Sequence, residues 1–159
     1  FLKERGAAEA ALVSARDEVV RDANARRRAH EENRRLGDRL RAVLDQLDSG
    51  VMLVEPNGTI ALFNLAAERI FGAWRGEIER LLKGGTHPTL RPDGKTPYSP
   101  EAEPAARALK GEPVRGEAAF LRTPFRPQGC PVVLSAAPMR SSQGLVTGAI
   151  VIIRETGPV

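Results

Sequence analysis

The sequence predicts an α+β domain, built from an antiparallel sheet with short helices on one face and preceded by a long N-terminal α-helix. The N-terminal third favours a helix, since residues 1–48 contain no proline and few glycines. From residue 49 onward, short β-rich runs alternate with Gly, Pro and Asn turns. Hydrophobic residues make up 42% and aromatic residues 4% of the chain, so the predicted core is mainly aliphatic.

The helical region, residues 1–47, carries a seven-residue apolar repeat that is typical of a dimeric coiled coil. Arg26 and Asp22 interrupt the repeat in its middle, whereas its C-terminal end, around Leu44, is apolar. A single amphipathic helix that packs on its own domain stays open as the alternative. The candidate homodimer seam consists of Leu12, Val19, Asn33, Leu36, Leu40, Val43 and Leu47.

A β-hairpin and two short helices follow this region. Residues 51–55 and 59–63 are apolar runs on either side of a Pro-Asn-Gly turn. Asn64 is a favourable N-cap for a helix over 65–71, because its side-chain oxygen can accept a backbone N–H. A second helical segment covers about 76–83.

The remaining sequence predicts a loop, one helix and three strands. Residues 84–100 contain four prolines and read as a loop, and residues 101–110 read as a helix. A connection over 123–131 and a polar hairpin loop over 141–144 separate the strands. The three strand candidates are 114–122, 132–140 and 145–154. The order β-β-α-α-α-β-β-β then gives a five-stranded antiparallel sheet.

Several segments, in this order and spacing, resemble PAS domains. They are the opening hairpin 48–60, the Asn-entered and Gly-closed helix 64–72, the helix-to-strand passage 107–114, and strands 135–139 and 144–154. The resemblance covers about residues 44–156. It implies a PAS-like sensory domain over 48–156 and, at 157–159, the start of a linker to an output domain.

The resemblance also implies what such a module does. The parent protein would be a two-component sensor histidine kinase, a cyclic-dinucleotide enzyme or a regulator, the first being the commonest. Output would leave the domain through the junction Arg154, Glu155 and Thr156, where the family has an Asp-Ile-Thr-like segment that this sequence matches imperfectly.

A pocket between the sheet and the short helices is a further implication of the resemblance. Its occupant would meet alternate residues of the strands. The same residues could instead simply fill the core, and that alternative stays open. The candidate lining residues are Leu53, Ile60, Leu62, Ile70, Leu109, Ala119, Leu134, Ile150 and Ile152.

No cofactor or metal is expected. His87 lies in a loop before a proline, not on the long helix where haem-binding PAS domains place their ligand. Cys130 lies in a strand connection without the Asn-Cys-Arg motif of the flavin-binding relatives. One cysteine and two histidines cannot supply a four-ligand structural zinc site.

Catalysis is not expected either. His30 followed by Glu31 resembles a phosphoacceptor site, but the proline expected after it and an ATP-binding Gly-rich segment are both missing. No serine lies in a strand–Ser–helix elbow. We therefore interpret the chain as a non-catalytic part of a longer protein.

Net charge and hydropathy limit the classes of partner that we expect. The net charge of +4 is spread over both regions, so nucleic-acid binding is not expected. No apolar run approaches the roughly 20 residues of a membrane helix, so we expect a cytoplasmic fragment without membrane contact. The expected partners are a second copy, the output domain of the same chain and a small-molecule ligand. The alternative is a ligand-free PAS module that binds another protein in a transcriptional or cyclic-dinucleotide regulator.

Overall fold

A computed structural model describes residues 2–157 of the 159, with side chains from Lys3 onward. The chain divides into two compact units, and the division falls between Ala42 and Val43. The described helices and strands, in chain order, are α1 (Leu2–Leu44), β1 (Gly50–Val54), β2 (Ile60–Phe63), α2 (Leu65–Phe71), α3 (Arg75–Lys83), β3 (Thr89–Leu90), α4 (Pro104–Leu109), β4 (Val114–Thr123), β5 (Arg126–Arg140) and β6 (Val146–Glu155). Residues 158 and 159 of the predicted linker lie outside the described residues.

Helix α1 is continuous over 43 residues, as its composition predicts. Every side chain from Lys3 to Val43 is exposed, and the predicted seam is exposed with the rest. Leu12 and Leu40, near the two ends of the seam, are 71% and 55% exposed. The apolar stripe of α1 therefore packs against nothing in its own unit.

Helix α1 ends at Leu44, three residues before the predicted boundary at Leu47. The amides of Gln46 and Leu47 donate to the carbonyls of Val43 and Leu44 at 3.1 and 3.2 Å, which tightens the last turn. Leu47, the last residue of the predicted seam, therefore follows the last turn of α1 and lies outside the helix.

The sheet is antiparallel throughout, with the strand order β2-β1-β6-β5-β4-β3. It contains the five predicted strands and one more. The additional strand, β3, pairs Thr89 with Leu121 at the edge of the sheet. Its two residues are too few to show an alternating pattern, and they lie inside the segment predicted as a loop.

The hairpin between β4 and β5 is much tighter than predicted. Thr123 pairs with Arg126, so β5 begins at Arg126 and not at Val132. The prolines at 127 and 131 suggested a connection, but β6 joins β5 only from Val132 onward. The early part of β5 pairs on one side alone, where prolines are tolerated.

The three short helices, α2 to α4, cover one face of the sheet and enclose the core. Helix α2 has its predicted bounds, and α3 starts at Arg75, one residue earlier than predicted. Helix α4 starts only at Pro104, because a proline suits the first helical position and Glu103 caps the helix from outside. No described helix combines the length and apolar character that a membrane crossing requires.

Candidate functional site

A cavity of about 210 Å³ lies between the helix-covered face of the sheet and the helices. Alternate residues of each central strand point to the same face of the sheet, and on the face that borders the cavity these residues are apolar. The strand residues that line it are Met52, Val54, Leu134, Val151 and Ile153. We call this space the core cavity.

The helical side of the core cavity is also largely apolar. Phe71 ends α2 and Leu82 lies near the end of α3, while Leu109 comes from the last turn of α4. Pro104, Ala105 and Ala106 of α4 complete this wall. The small alanine side chains leave room that larger residues would fill, so the space is a property of the helix sequence.

Five polar residues also line the core cavity, and they differ in burial. Asn57, Lys83 and His87 are exposed, whereas Thr89 is buried and Glu103 is half-buried. The Nζ atom of Lys83 lies 3.1 Å from Oε1 of Glu79, so its charge is already paired. The cavity is thus apolar inside and has a buried hydroxyl and a half-buried carboxyl at its edge.

Glu103 is held by the helix that it caps. Its Oε2 accepts a hydrogen bond from the backbone N–H of Ala106 at 3.2 Å. Burial raises the pKa of the Glu103 carboxyl, and the hydrogen bond from Ala106 and the nearby His87 only partly oppose that rise. A carboxyl group in this position is sensitive to whatever shares the cavity with it.

Two of the nine predicted pocket residues, Leu109 and Leu134, line the core cavity. Three others, Ile60, Ile70 and Ala119, are buried in the hydrophobic core but do not reach the cavity. These three residues fill the core, which was the alternative to a pocket for all nine candidates.

The remaining four, Leu53, Leu62, Ile150 and Ile152, lie on the opposite face of the sheet. Met52 and Val151 line the cavity, so their neighbours along each strand point away from it. Leu53 pairs with both Leu62 and Ile150, which places these side chains on one surface. The prediction for these four is corrected: a shift of one residue in register reverses the face of every side chain.

Sequence reasoning missed the polar residues of the cavity. Thr89 lies in a segment read as a loop, and Glu103 lies within the predicted helix 101–110. The signal that could have located Glu103 is the Glu-Pro pair at 103 and 104, an acidic N-cap before a proline. No comparable local signal marks Thr89.

In the sequence, His87 and Cys130 were considered for cofactor binding and His30 for phosphotransfer. His87 is exposed at the cavity edge, and His30 is exposed on α1. Cys130 is buried beside Leu121 in the β4–β5 pair, where burial raises the pKa of its thiol. Within residues 2–157, no cluster of three or more metal-ligating side chains occurs.

Asn64 links several segments around the start of the domain. Its Oδ1 accepts hydrogen bonds from the backbone N–H groups of Val51 and Ala67 at 2.8 and 3.0 Å. Its Nδ2 donates to the carbonyls of Leu44 and Ser49 at 2.9 and 3.0 Å. One buried side chain thus joins the last residue of α1, the entry to β1 and the first turn of α2.

The predicted output junction continues β6. Glu155 is the last residue of β6 and accepts a 2.7 Å ion-pair hydrogen bond from Arg126 of β5. The backbone N–H of Thr156 donates to the carbonyl of Pro131 at 2.9 Å. Arg154 is exposed. The junction is therefore anchored to β5 by backbone and side-chain contacts.

Comparisons with known proteins agree on the fold. The family profile described as the PAS fold matches residues 38–81. A comparison with curated proteins found no match. Among 185 matching chains of solved structures is a domain of a sensory box sensor histidine kinase/response regulator from Geobacter sulfurreducens. It is 20% identical, with a TM-score of 0.50, over 76% of this chain and 94% of that chain.

Two further structures give the same result. A PAS domain from Colwellia psychrerythraea is 16% identical with a TM-score of 0.52, over 76% of this chain and 95% of its own. The PAS domain of an HTR-like protein from Haloarcula marismortui is 13% identical with a TM-score of 0.55, over 81% and 98%. With the sheet order and the matched profile, these similarities show that the chain contains a domain with the PAS fold, which follows the long helix α1.

Proposed function

We propose that this chain is the sensory and dimerisation module of a signal-transduction protein, in which an occupant of the core cavity biases the packing of two α1 helices. The observation that carries the proposal is α1 itself. It is 43 residues long, and its apolar side chains are exposed. Long helices in water depend on packing of their apolar face, so a second copy of the stripe is the natural partner.

The contacts of Asn64 support a link between the cavity and the end of α1. Asn64 bonds to the carbonyl of Leu44 and to the N–H of Val51. Met52, the next residue of β1, lines the core cavity, as does Phe71 at the end of α2. A shift of β1 or α2 on ligand binding would therefore act on the last residue of α1 through one side chain.

The parent protein that best fits this module is a cytoplasmic two-component sensor histidine kinase. The Geobacter domain comes from a protein described as a sensor histidine kinase/response regulator, which supports this assignment. The module itself would be non-catalytic and would pass its state to an output domain of the same chain. Neither nucleic acid nor membrane is needed by this mechanism.

Substitution of Leu40 tests the dimer. Leu40→Glu places a charge in the seam of each copy, where burial without a partner is unfavourable, so we expect the dimer to weaken at least about tenfold. Sedimentation equilibrium of the full chain measures the change. Circular dichroism should show that the domain remains folded, since Leu40 is exposed within its own chain.

Ala42→Glu is the matched control, because Ala42 is also exposed on α1 but lies outside the heptad seam. It adds the same charge two residues away and should leave the dimer intact. A dimer that Leu40→Glu does not weaken, or that both substitutions weaken equally, would rule out this seam.

The outer face of the sheet favours a second candidate function, a ligand-free module that binds another protein. Leu53, Leu62 and Ile150 are adjacent across three strands, and Ile152 is 44% exposed beside them. Mass spectrometry of the purified chain under native conditions separates the two functions. A retained small molecule supports the sensory function, whereas a ligand-free chain that captures a protein through this face supports the second.

A further inference from the structure

Two polar groups at the core cavity keep hydrogen-bonding capacity that the described residues do not use. The Glu103 carboxyl accepts from the backbone N–H groups of Ala106 and Ala105, and a carboxylate has about four lone pairs, so it can accept further bonds. The hydroxyl of Thr89 forms no side-chain hydrogen bond among the described residues, although Thr89 is only 6% exposed and lines the cavity. Because no fully buried side-chain polar atom of the described residues lacks a partner, this hydroxyl is reached by water or by a molecule in the cavity.

The volume of the core cavity limits the size of a molecule that could bind there. Its volume is about 210 Å³, and an apolar protein cavity of about 150 Å³ holds one benzene. The occupant therefore has the bulk of one six-membered ring, or of a short branched chain, and a few more atoms. The apolar lining from Met52, Leu134 and Ile153 matches such a body.

The charges around the cavity limit which polar group its occupant can carry. Lys83 and His87 are exposed, so solvent and salt screen them, and Lys83 is already paired with Glu79. Glu103 is half-buried and therefore less screened than Lys83 and His87, and no described cation forms an ion pair with it. A half-buried carboxyl that lacks an ion-pair partner favours a hydrogen-bond donor with positive charge and disfavours an anion.

We propose that the core cavity binds a small primary amine with an aromatic or branched aliphatic body, whose ammonium group donates to Glu103 and to the hydroxyl of Thr89. This inference rests on the proposed sensory function and names the ligand class of its cavity. The apolar body lies against the sheet, and the ammonium group lies between Glu103 and Thr89.

The titration of Glu103 is consistent with this geometry. Burial holds the pKa of its carboxyl above the ordinary value. An ammonium group beside it would lower that pKa again and so favour the charged form. Amine and carboxylate would then form a partly buried ion pair.

Three probes of nearly equal shape test the class of ligand on the full chain. They are 2-phenylethylamine, the neutral 2-phenylethanol and the anionic phenylacetate. Titration calorimetry at neutral pH gives each affinity. We expect the amine to bind at least about tenfold more tightly than the alcohol, and the anion to bind most weakly, because a charge-assisted hydrogen bond is the stronger kind.

Glu103→Gln isolates the carboxylate. The amide oxygen of Gln can still cap Ala106, so the fold of α4 should persist while the charge is removed. The preference of about tenfold for the amine over the alcohol should disappear in this variant. Glu101→Gln is the matched control, since Glu101 is exposed and does not line the cavity, and it should retain the preference.

Each other outcome overturns the inference. Tighter binding of the anion, a preference for the amine that survives Glu103→Gln, or no binding of any probe would each exclude an amine site at Glu103. The proposed function fails differently: sedimentation of the same samples would show a monomer, or a dimer that Leu40→Glu does not weaken. If the alcohol or the anion binds at the cavity and the dimer persists, the sensory function stands and only the ligand class is wrong.

Discussion

Asn64 shows how a single side chain can organise this domain. It is 3% exposed and uses both ends of its amide, two acceptor bonds at Oδ1 and two donor bonds at Nδ2. A carboxylate, a hydroxyl or an apolar group in the same place could satisfy only part of this set. The residue therefore serves both as a helix cap and as the connection to the end of α1.

Removal of the Asn64 side chain should be strongly destabilising. Asn64→Ala leaves the N–H groups of Val51 and Ala67 without their acceptor, and we expect the free energy of unfolding to fall by about 2–4 kcal/mol. Urea unfolding followed by circular dichroism measures it. Asn57→Ala is the control, because its side chain makes one exposed turn bond, to the N–H of Thr59 at 2.9 Å.

Asn64→Asp separates the two roles. The carboxylate can still accept from Val51 and Ala67, but it faces the carbonyls of Leu44 and Ser49 without a hydrogen to donate. We expect a loss of stability in this variant too. Full stability in Asn64→Asp would show that the bonds to Leu44 and Ser49 contribute nothing.

The sequence predicted only part of this residue's role. The cap of α2 depends on residues three apart, so the local pattern Asn-Leu-Ala-Ala is enough to indicate it. The bonds to Leu44 and Ser49 join residues 20 and 15 positions away. They depend on the packing of three segments, and no local pattern carries that information.

At the scale of elements, the β4–β5 hairpin depends on Gly129. This glycine has a φ of +66°, in the left-handed region that side chains disfavour. A Cβ atom on it would lie 2.6 Å from the carbonyl oxygen of Leu121 and would also meet the Phe120 ring. The backbone here passes so close to β4 that only glycine fits.

Gly129→Ala should therefore destabilise the hairpin. Backbone strain at positive φ and the overlap with β4 add up to about 2–4 kcal/mol in the free energy of unfolding. Thermal or urea unfolding checks this value. Gly144→Ala tests strain without overlap, since Gly144 has a φ of +81° and no atom near its missing Cβ, and it should cost about 1–2 kcal/mol. Equal losses in the two variants would argue against the close contact at Gly129.

Element types were more predictable than element bounds. Helix α2 and the β1–β2 hairpin follow from a cap, a Pro-Asn-Gly turn and short β-rich runs, all of which are local signals. The start of β5 was misplaced because Pro127 and Pro131 would be unfavourable in a strand that pairs on both sides. The first residues of β5 pair only with β4, and the sequence does not show that β6 is missing beside them, because this depends on tertiary structure.

At the scale of the whole chain, the core cavity is the feature that the sequence specified least. Its lining comes from strands and helices far apart in sequence, and its position depends on which face of each strand is covered. The resemblance to PAS domains implied a pocket between the sheet and the helices, with a filled core as the alternative, but the register of β1 and β6 decided which residues line the cavity. The apolar repeat of α1, by contrast, is visible in the sequence itself as a period of seven residues.

The most direct test of the central claim is the mass of the particle with and without α1. Sedimentation equilibrium should give a dimer for the full chain and a monomer for a chain that starts at Leu40. The shorter chain retains the second compact unit, residues 43–159, and should stay folded. A dimer for the full chain and a monomer for the shorter chain would assign dimerisation to α1. The same state for both chains would contradict the account. Two monomers would leave the apolar stripe of α1 without a partner, and two dimers would move the interface to the second compact unit.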